Sequence, residues 1–177
     1  MVDAHLEARW RSLIRGVPDF PLPGILFRDI TPLLHDPAAL RSANDALAEA
    51  ARALRPTLVA GIEARGFIFG VPVAERLGLP FVPVRKPGKL PSEAETVAYS
   101  LEYGEAALQL HREPSIAGER VLIVDDLLAT GGTAEAAAHL VTTLGGTVAG
   151  FAFLIELDAL GGRERLGDAP VIALLRF

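Results

Sequence analysis

The chain has 177 residues, 50% of them hydrophobic and 22% charged, a balance that excludes a disordered polymer and provides enough material for one buried core. It contains no cysteine, which excludes disulfides and thiolate metal sites and suits a cytoplasmic location. A net charge of −5 and a pI near 5.4 argue against general binding to nucleic acid or to an anionic membrane, so cations for an anionic ligand must be placed locally.

Residues 3–14 read as an amphipathic helix, with Asp3 as cap and Leu6, Trp10, Leu13 and Ile14 along one side. Asp3, Glu7, Arg9, Arg11 and Arg15 interrupt any signal-peptide core there. Phe20 to Leu34 is rich in proline and apolar residues, too irregular for a regular element and too apolar for a solvated linker, so it is expected to pack over something. Asp36-Pro37 starts a helix, as an N-cap followed by proline at the first helical position, and this helix runs to about Leu54.

Thr57 to Ile62 reads as a buried strand, Phe67 to Leu77 as a helix stopped by Gly78, and Pro80 to Val84 as another short apolar strand. A basic turn, Arg85-Lys86-Pro87-Gly88-Lys89, follows, then two alternating stretches, Thr96–Tyr103 and Ala106–His111, that predict an antiparallel hairpin around Gly104. Arg120 opens another strand, Thr133–Leu144 a helix, Val148–Leu157 a strand and Val171–Leu175 a last one. Ala136 to Ile155 is uncharged over a membrane-spanning length, but Gly145-Gly146 and the threonines divide it into helix, stop and strand, and no membrane partner is expected.

Strands alternating with helices predict an α/β fold: a parallel central sheet flanked by helices, with right-handed crossovers, within one domain over residues 1–177. Ligands of such sheets lie beyond the carboxyl ends of the strands. Glu63-Ala64-Arg65-Gly66, Arg85-Lys86 and Asp125-Asp126 each follow such a strand, so the three are expected to converge on one rim.

The most informative stretch is Val121 to Ala134, VLIVDDLLATGGTA. Four apolar residues fit a strand buried on both faces, and the acidic pair Asp125-Asp126 follows where the strand is expected to leave the core. Ala129-Thr130-Gly131-Gly132-Thr133 then leads into a helix, so free backbone N–H groups and the positive helix end face one small volume. Paired glycines let a backbone close on a phosphate. Two carboxylates beside a phosphate cradle would repel it unless they accept hydrogen bonds from something attached, and ribose hydroxyls are suitable donors. A ribose 5-phosphate is therefore the expected ligand. No lysine follows the glycines as in a Walker A loop, and no GxGxxG fingerprint occurs.

This stretch resembles the phosphoribosyl pyrophosphate (PRPP) loop of the type I phosphoribosyltransferases. Three further segments, Phe20 to Ile30, Glu63 to Phe67 and Arg85 to Pro91, resemble the branch of that family that uses adenine. The resemblance implies transfer of the 5-phosphoribosyl group of PRPP to adenine, giving AMP and pyrophosphate, by a cytoplasmic homodimer with Mg²⁺ carried on the substrate rather than in a dedicated metal site. His5, His35, His111 and His139 show no ligand spacing.

The resemblance also implies roles. Ala129 through Thr133 would take the 5-phosphate and Asp125 and Asp126 the ribose hydroxyls. Glu63, Ala64 and Arg65, joined in the family by a typically cis peptide at the first pair, would meet the pyrophosphate with Arg85 and Lys89, the Arg85 equivalent reaching toward a neighbouring subunit. Adenine would lie near Phe27 and Leu127, its edge read by main-chain groups of Leu26 and Arg28. Residues 92–110 would be a mobile hood carrying Glu102 for proton transfer and Tyr103 for closure, with Arg65 the third catalytic residue. On their residues alone, the basic turn also fits a solvated loop, Phe20–Asp29 a hydrophobic plug, and Glu102 and Tyr103 a hairpin surface. A sister enzyme for a 6-oxopurine or another base, and a non-catalytic PRPP-sensing regulator, are the alternative readings.

Overall fold

The structure is a computed structural model that describes residues 3–101 and 104–177, the side chains of residues 100, 101, 104 and 105 excepted. Helix α1 (Ala4–Ser12) is capped by the Asp3 carboxylate and buries Trp10, whose indole N–H donates to Ser42 Oγ at 2.9 Å. Strands β1 (Arg15–Pro18) and β2 (Leu26–Asp29) form a separate antiparallel ribbon, followed by the short helix α2 (Thr31–His35). Helix α3 (Pro37–Arg52) begins as predicted, the Asp36 carboxylate accepting from the amides of Ala38 and Ala39.

The main sheet is wholly parallel. Strand β3 (Leu58–Ile62) is buried throughout, helix α4 (Gly66–Leu77) ends at Gly78 in the left-handed conformation, and β4 (Phe81–Val84) pairs back onto β3. The hairpin β5 (Ala94–Leu101) and β6 (Gly104–His111) follows. Strand β7 (Arg120–Leu128) lies on the other side of β3, then come helix α5 (Gly132–Thr143), β8 (Thr147–Glu156), the four-residue helix α6 (Gly162–Arg165) and β9 (Val171–Arg176). The spatial order is β4-β3-β7-β8-β9. Winding runs outward from β3 to β4 in one direction and from β7 to β9 in the other, so the reversal falls between β3 and β7. A crevice opens at such a point, outside the carboxyl ends of the two strands.

Alternation along the strands divides the core in two. Val59, Leu122, Val124, Ala152 and Leu154 face α3 and α4, whose buried stripe includes Ala39, Ala43, Leu47, Ala48 and Ala51. Ala60, Ile62, Val121, Ile123, Phe151 and Phe153 face α5 and the hairpin, which contributes Leu108 and Leu110. The hairpin is tied to the sheet by two backbone bonds, Arg85 N–H to Gln109 O at 2.8 Å and Gln109 N–H to Arg85 O at 2.7 Å.

Two expectations need correction. Phe20 to Leu34 is more regular than its composition suggests, because it contains β2 and α2. A four-residue strand beside a Pro-rich turn has too little alternation to register as a strand. The ribbon is instead held by pairing with β1 and by the ion pair from Arg15 to Asp29. Strand β7 also runs through the acidic pair to Leu128, since β8 goes on pairing past it, Asp125 with Phe153 and Leu127 with Ile155.

Candidate functional site

Gly66 explains how the turn after β3 reaches its neighbour. A Cβ at Gly66 would stand 2.6 Å from the Val124 carbonyl oxygen and 3.0 Å from Asp125 Oδ1, so only glycine lets the start of α4 press onto β7. The Glu63–Ala64 peptide just before it is cis. The turn delivers Arg65 across the crevice, its Nε 3.0 Å from Asp126 Oδ2.

The Asp126 side chain is only 4% exposed and that of Arg65 42%. Their contact lacks hydrogen-bond alignment, and among the described residues Oδ2 of Asp126 accepts no hydrogen bond. Asp125 Oδ1 accepts from the Asp126 amide at 2.9 Å. Burial, then the charge of Asp126, push the Asp125 carboxyl well above its ordinary range. Burial also raises Asp126, against the pull of the Arg65 guanidinium.

The glycine turn closes the other side. Gly131 has φ +85° and precedes α5 without any side-chain cap, leaving the first-turn amides free for an anion. A cavity of about 180 Å³ is lined by Arg65 and by the continuous run from Asp125 through Thr133. A second cavity of about 440 Å³ lies between the rim and the hairpin and shares Arg65, Asp125, Asp126 and Thr133 with the first. Glu63, Ala64, Lys86 and Tyr99 complete its wall, and Thr133 Oγ1 lies 3.3 Å from the Tyr99 hydroxyl as a hydrogen-bond partner.

The basic turn gathers on Glu63. Arg85 Nε donates to Glu63 Oε2 at 3.0 Å, the Lys86 amide to the same oxygen at 2.9 Å, and Lys89 Nζ to Oε1 at 2.5 Å. Burial alone would raise the Glu63 carboxyl, but these donors outweigh it and hold the pKa at about 2. Glu63 thus folds Arg85 and Lys89 toward the rim within one chain.

Strand β2 presents its residues on two sides. The Phe27 ring faces Arg65, whose guanidinium carbon is 5.5 Å from the ring centre, and Leu127 lines the smaller cavity. Leu26 and Arg28, on the opposite face of the strand, line a cavity of about 640 Å³ that borders the glycine turn at Ala129 and Thr130 and also includes Leu160 and Phe177. Arg28 stacks over Phe177 at 4.2 Å, which leaves only its main chain available to the Phe27 side. Glu102 and Tyr103 lie outside the described residues.

The rim therefore collects Ala64, Arg65, Asp125, Asp126, Leu127 and the run Ala129–Thr133, with Glu63, Arg85 and Lys89 beside them. Lys86 joins the wall as expected of the Arg85-Lys86 turn, and Tyr99 is a wall residue outside the predicted site set. Tyr99 had a signal only in its inward register on the hairpin.

Residues 29–170 match the phosphoribosyl transferase domain model. An adenine phosphoribosyltransferase from Sorangium cellulosum is 59% identical over 98% of this chain and 89% of its own length. Among solved structures, the adenine phosphoribosyltransferase of Thermoanaerobacter pseudethanolicus has a TM-score of 0.93 and 50% identity, covering 97% of this chain and 99% of that one. That of Saccharomyces cerevisiae, solved with adenine and D-2,5-dideoxy-2,5-imino-altritol 1,6-bisphosphate, has a TM-score of 0.90 and 40% identity, covering 98% of this chain and 100% of that one.

Proposed function

The chain belongs to the adenine phosphoribosyltransferase family, a group of enzymes that transfer the 5-phosphoribosyl group of PRPP to adenine and release AMP and pyrophosphate in purine salvage, and we propose how its residues share that reaction. The amides of Ala129 through Thr133 bind the 5-phosphate, and the Thr130 and Thr133 hydroxyls add donors. Asp125 and Asp126 accept from the ribose hydroxyls. The Asp126 oxygen without a hydrogen bond supports that role.

The amides around Ala64-Arg65-Gly66 take the pyrophosphate, with Arg65, Arg85 and Lys89 offsetting its charge. The bond from C1 to pyrophosphate breaks as adenine N9 bonds to C1, and the proton of the base's imidazole ring passes to Glu102. Phe27 and Leu127 hold the base, the main chain of Leu26 and Arg28 reads its edge, and Tyr103 closes over the centre. The carboxylates stabilise cationic character at the sugar, and the rest of catalysis is positioning and exclusion of water. Removing one charge-assisted contact to the leaving group costs roughly 1.5–3 kcal/mol, about ten- to a hundredfold in rate.

Mg²⁺ fits as an ion brought on pyrophosphate oxygens, because it prefers phosphate oxygens and waters to an all-protein cage. When bound it would neutralise the leaving group beside Asp125 and Asp126. Residues 1–177 work as one domain, with 92–110 as the movable cover, in a cytoplasmic homodimer.

The observation that carries this reading is the meeting of Arg65 and Asp126 across the β3–β7 crevice, beside the glycine turn. Adenine, guanine, hypoxanthine and orotate competing for PRPP in one assay provide the test. AMP should form almost alone. Nucleotide from guanine but not adenine would refute the base assignment, and PRPP binding without any nucleotide would favour a regulator.

A further inference from the structure

Glu156 closes β8 and is 4% exposed, an acid buried away from both cavities at the rim. Two arginines meet it. Arg163 donates from Nε to Oε1 at 2.9 Å and from its terminal nitrogens to Oε2 at 2.5 Å and to the Val171 carbonyl at 2.9 Å. Arg176 lies against the same carboxylate at 3.3 Å. A buried acid gripped in this way fixes the rotamer of Arg163, and with it the position of α6.

Helix α6 lies directly behind the glycine turn. A Cβ on Gly162 would stand 2.1 Å from the Ala129 carbonyl oxygen and 3.1 Å from the Gly131 nitrogen. A Cβ on Gly131 would stand 2.6 Å from the Gly162 carbonyl oxygen. The two backbones are in contact with no side chain between them. Arg165 then ties the same helix to the first turn of α5, its Nε 2.6 Å from Glu135 Oε2.

We propose that Glu156 and Arg163 are positioning residues for the 5-phosphate: they hold Gly162 as a rigid back wall against Ala129–Gly131, so that the turn's amides keep the spacing a phosphate needs. The inference rests on the assignment of that turn as the phosphate cradle. It predicts a selective effect, because the polar contacts of both side chains run among Glu156, Arg163, Arg176 and the Val171 carbonyl, and none goes to Phe27, Leu127 or the turn after β3 among the described residues.

The test is calorimetric titration of the full chain with ribose 5-phosphate and, separately, adenine, using Arg163→Met, Glu156→Gln and Gly131→Ala. Arg163→Met leaves Glu156 its second arginine, so it is the variant least exposed to misfolding. Arg163→Met and Glu156→Gln should weaken ribose 5-phosphate by roughly tenfold to a hundredfold and leave adenine within about twofold. The KM for PRPP should rise in step while that for adenine stays. Loss of both ligands alike, or wild-type affinity for ribose 5-phosphate in Arg163→Met while Gly131→Ala abolishes it, would overturn the positioning role alone. Wild-type ribose 5-phosphate affinity in Gly131→Ala would instead overturn the cradle itself, and the inference with it.

Discussion

Arg65 reaches from the turn after β3 to within 3.0 Å of Asp126, a buried carboxylate on the neighbouring strand β7. This pair spans the reversal of winding in the sheet. It joins the turn assigned to pyrophosphate to the strand assigned to ribose.

Arg65→Gln should act on both activity and stability. Turnover efficiency with PRPP should fall about ten- to a hundredfold, the loss of one charge-assisted contact. Because Asp126 stays buried without its cation, urea unfolding should show about 1–3 kcal/mol of destabilisation, less than for a fully enclosed pair since Arg65 is half-exposed. A surface cation of no consequence would change neither.

Asp125→Asn should trade activity for stability. The folded state raises the Asp125 carboxyl, so it favours the protonated form, and that contribution is complete below the ordinary pKa of 3.8 and lost as pH rises. An amide keeps the shape and the acceptor for the Asp126 amide but never ionises. The thermal midpoint of the variant should exceed that of the parent at pH 8 by more than at pH 4, while the KM for PRPP rises. A lower midpoint at pH 8 would contradict the assigned direction.

Glu63 behaves in the opposite sense. Its folded pKa of about 2 lies below the ordinary 4.5, so its contribution is present above 4.5 and disappears as pH falls through about 2. Acid titration of Glu63→Gln, followed by circular dichroism, should show a shallower loss of stability between those limits than the parent. Parallel acid limbs would show that Glu63 does not organise Arg85 and Lys89.

What could be read from the residues was local and repetitive. The apolar run of β7, the acidic pair and the glycine turn sit side by side in the chain, and each has a steric or electrostatic requirement that few residue types meet. The convergence of three turns also followed, because parallel strands bring their carboxyl ends to one edge. The ribbon of β1 and β2 was hidden, since four residues on each side of Phe20–Pro21 carry too little periodicity. Glu156 was hidden for a different reason: its arginines come from α6 and β9, and only packing shows that α6 backs the glycine turn.

A crystal structure with a non-hydrolysable PRPP analogue, Mg²⁺ and adenine measures the central claim most directly. The 5-phosphate should lie on the amides of Ala129 to Thr133, the sugar hydroxyls on Asp125 and Asp126, the pyrophosphate mimic at Ala64-Arg65, and the base between Phe27 and Leu127. Density for the sugar in the cavity beside Leu160 and Phe177, with the crevice between β3 and β7 filled only by water, would contradict it.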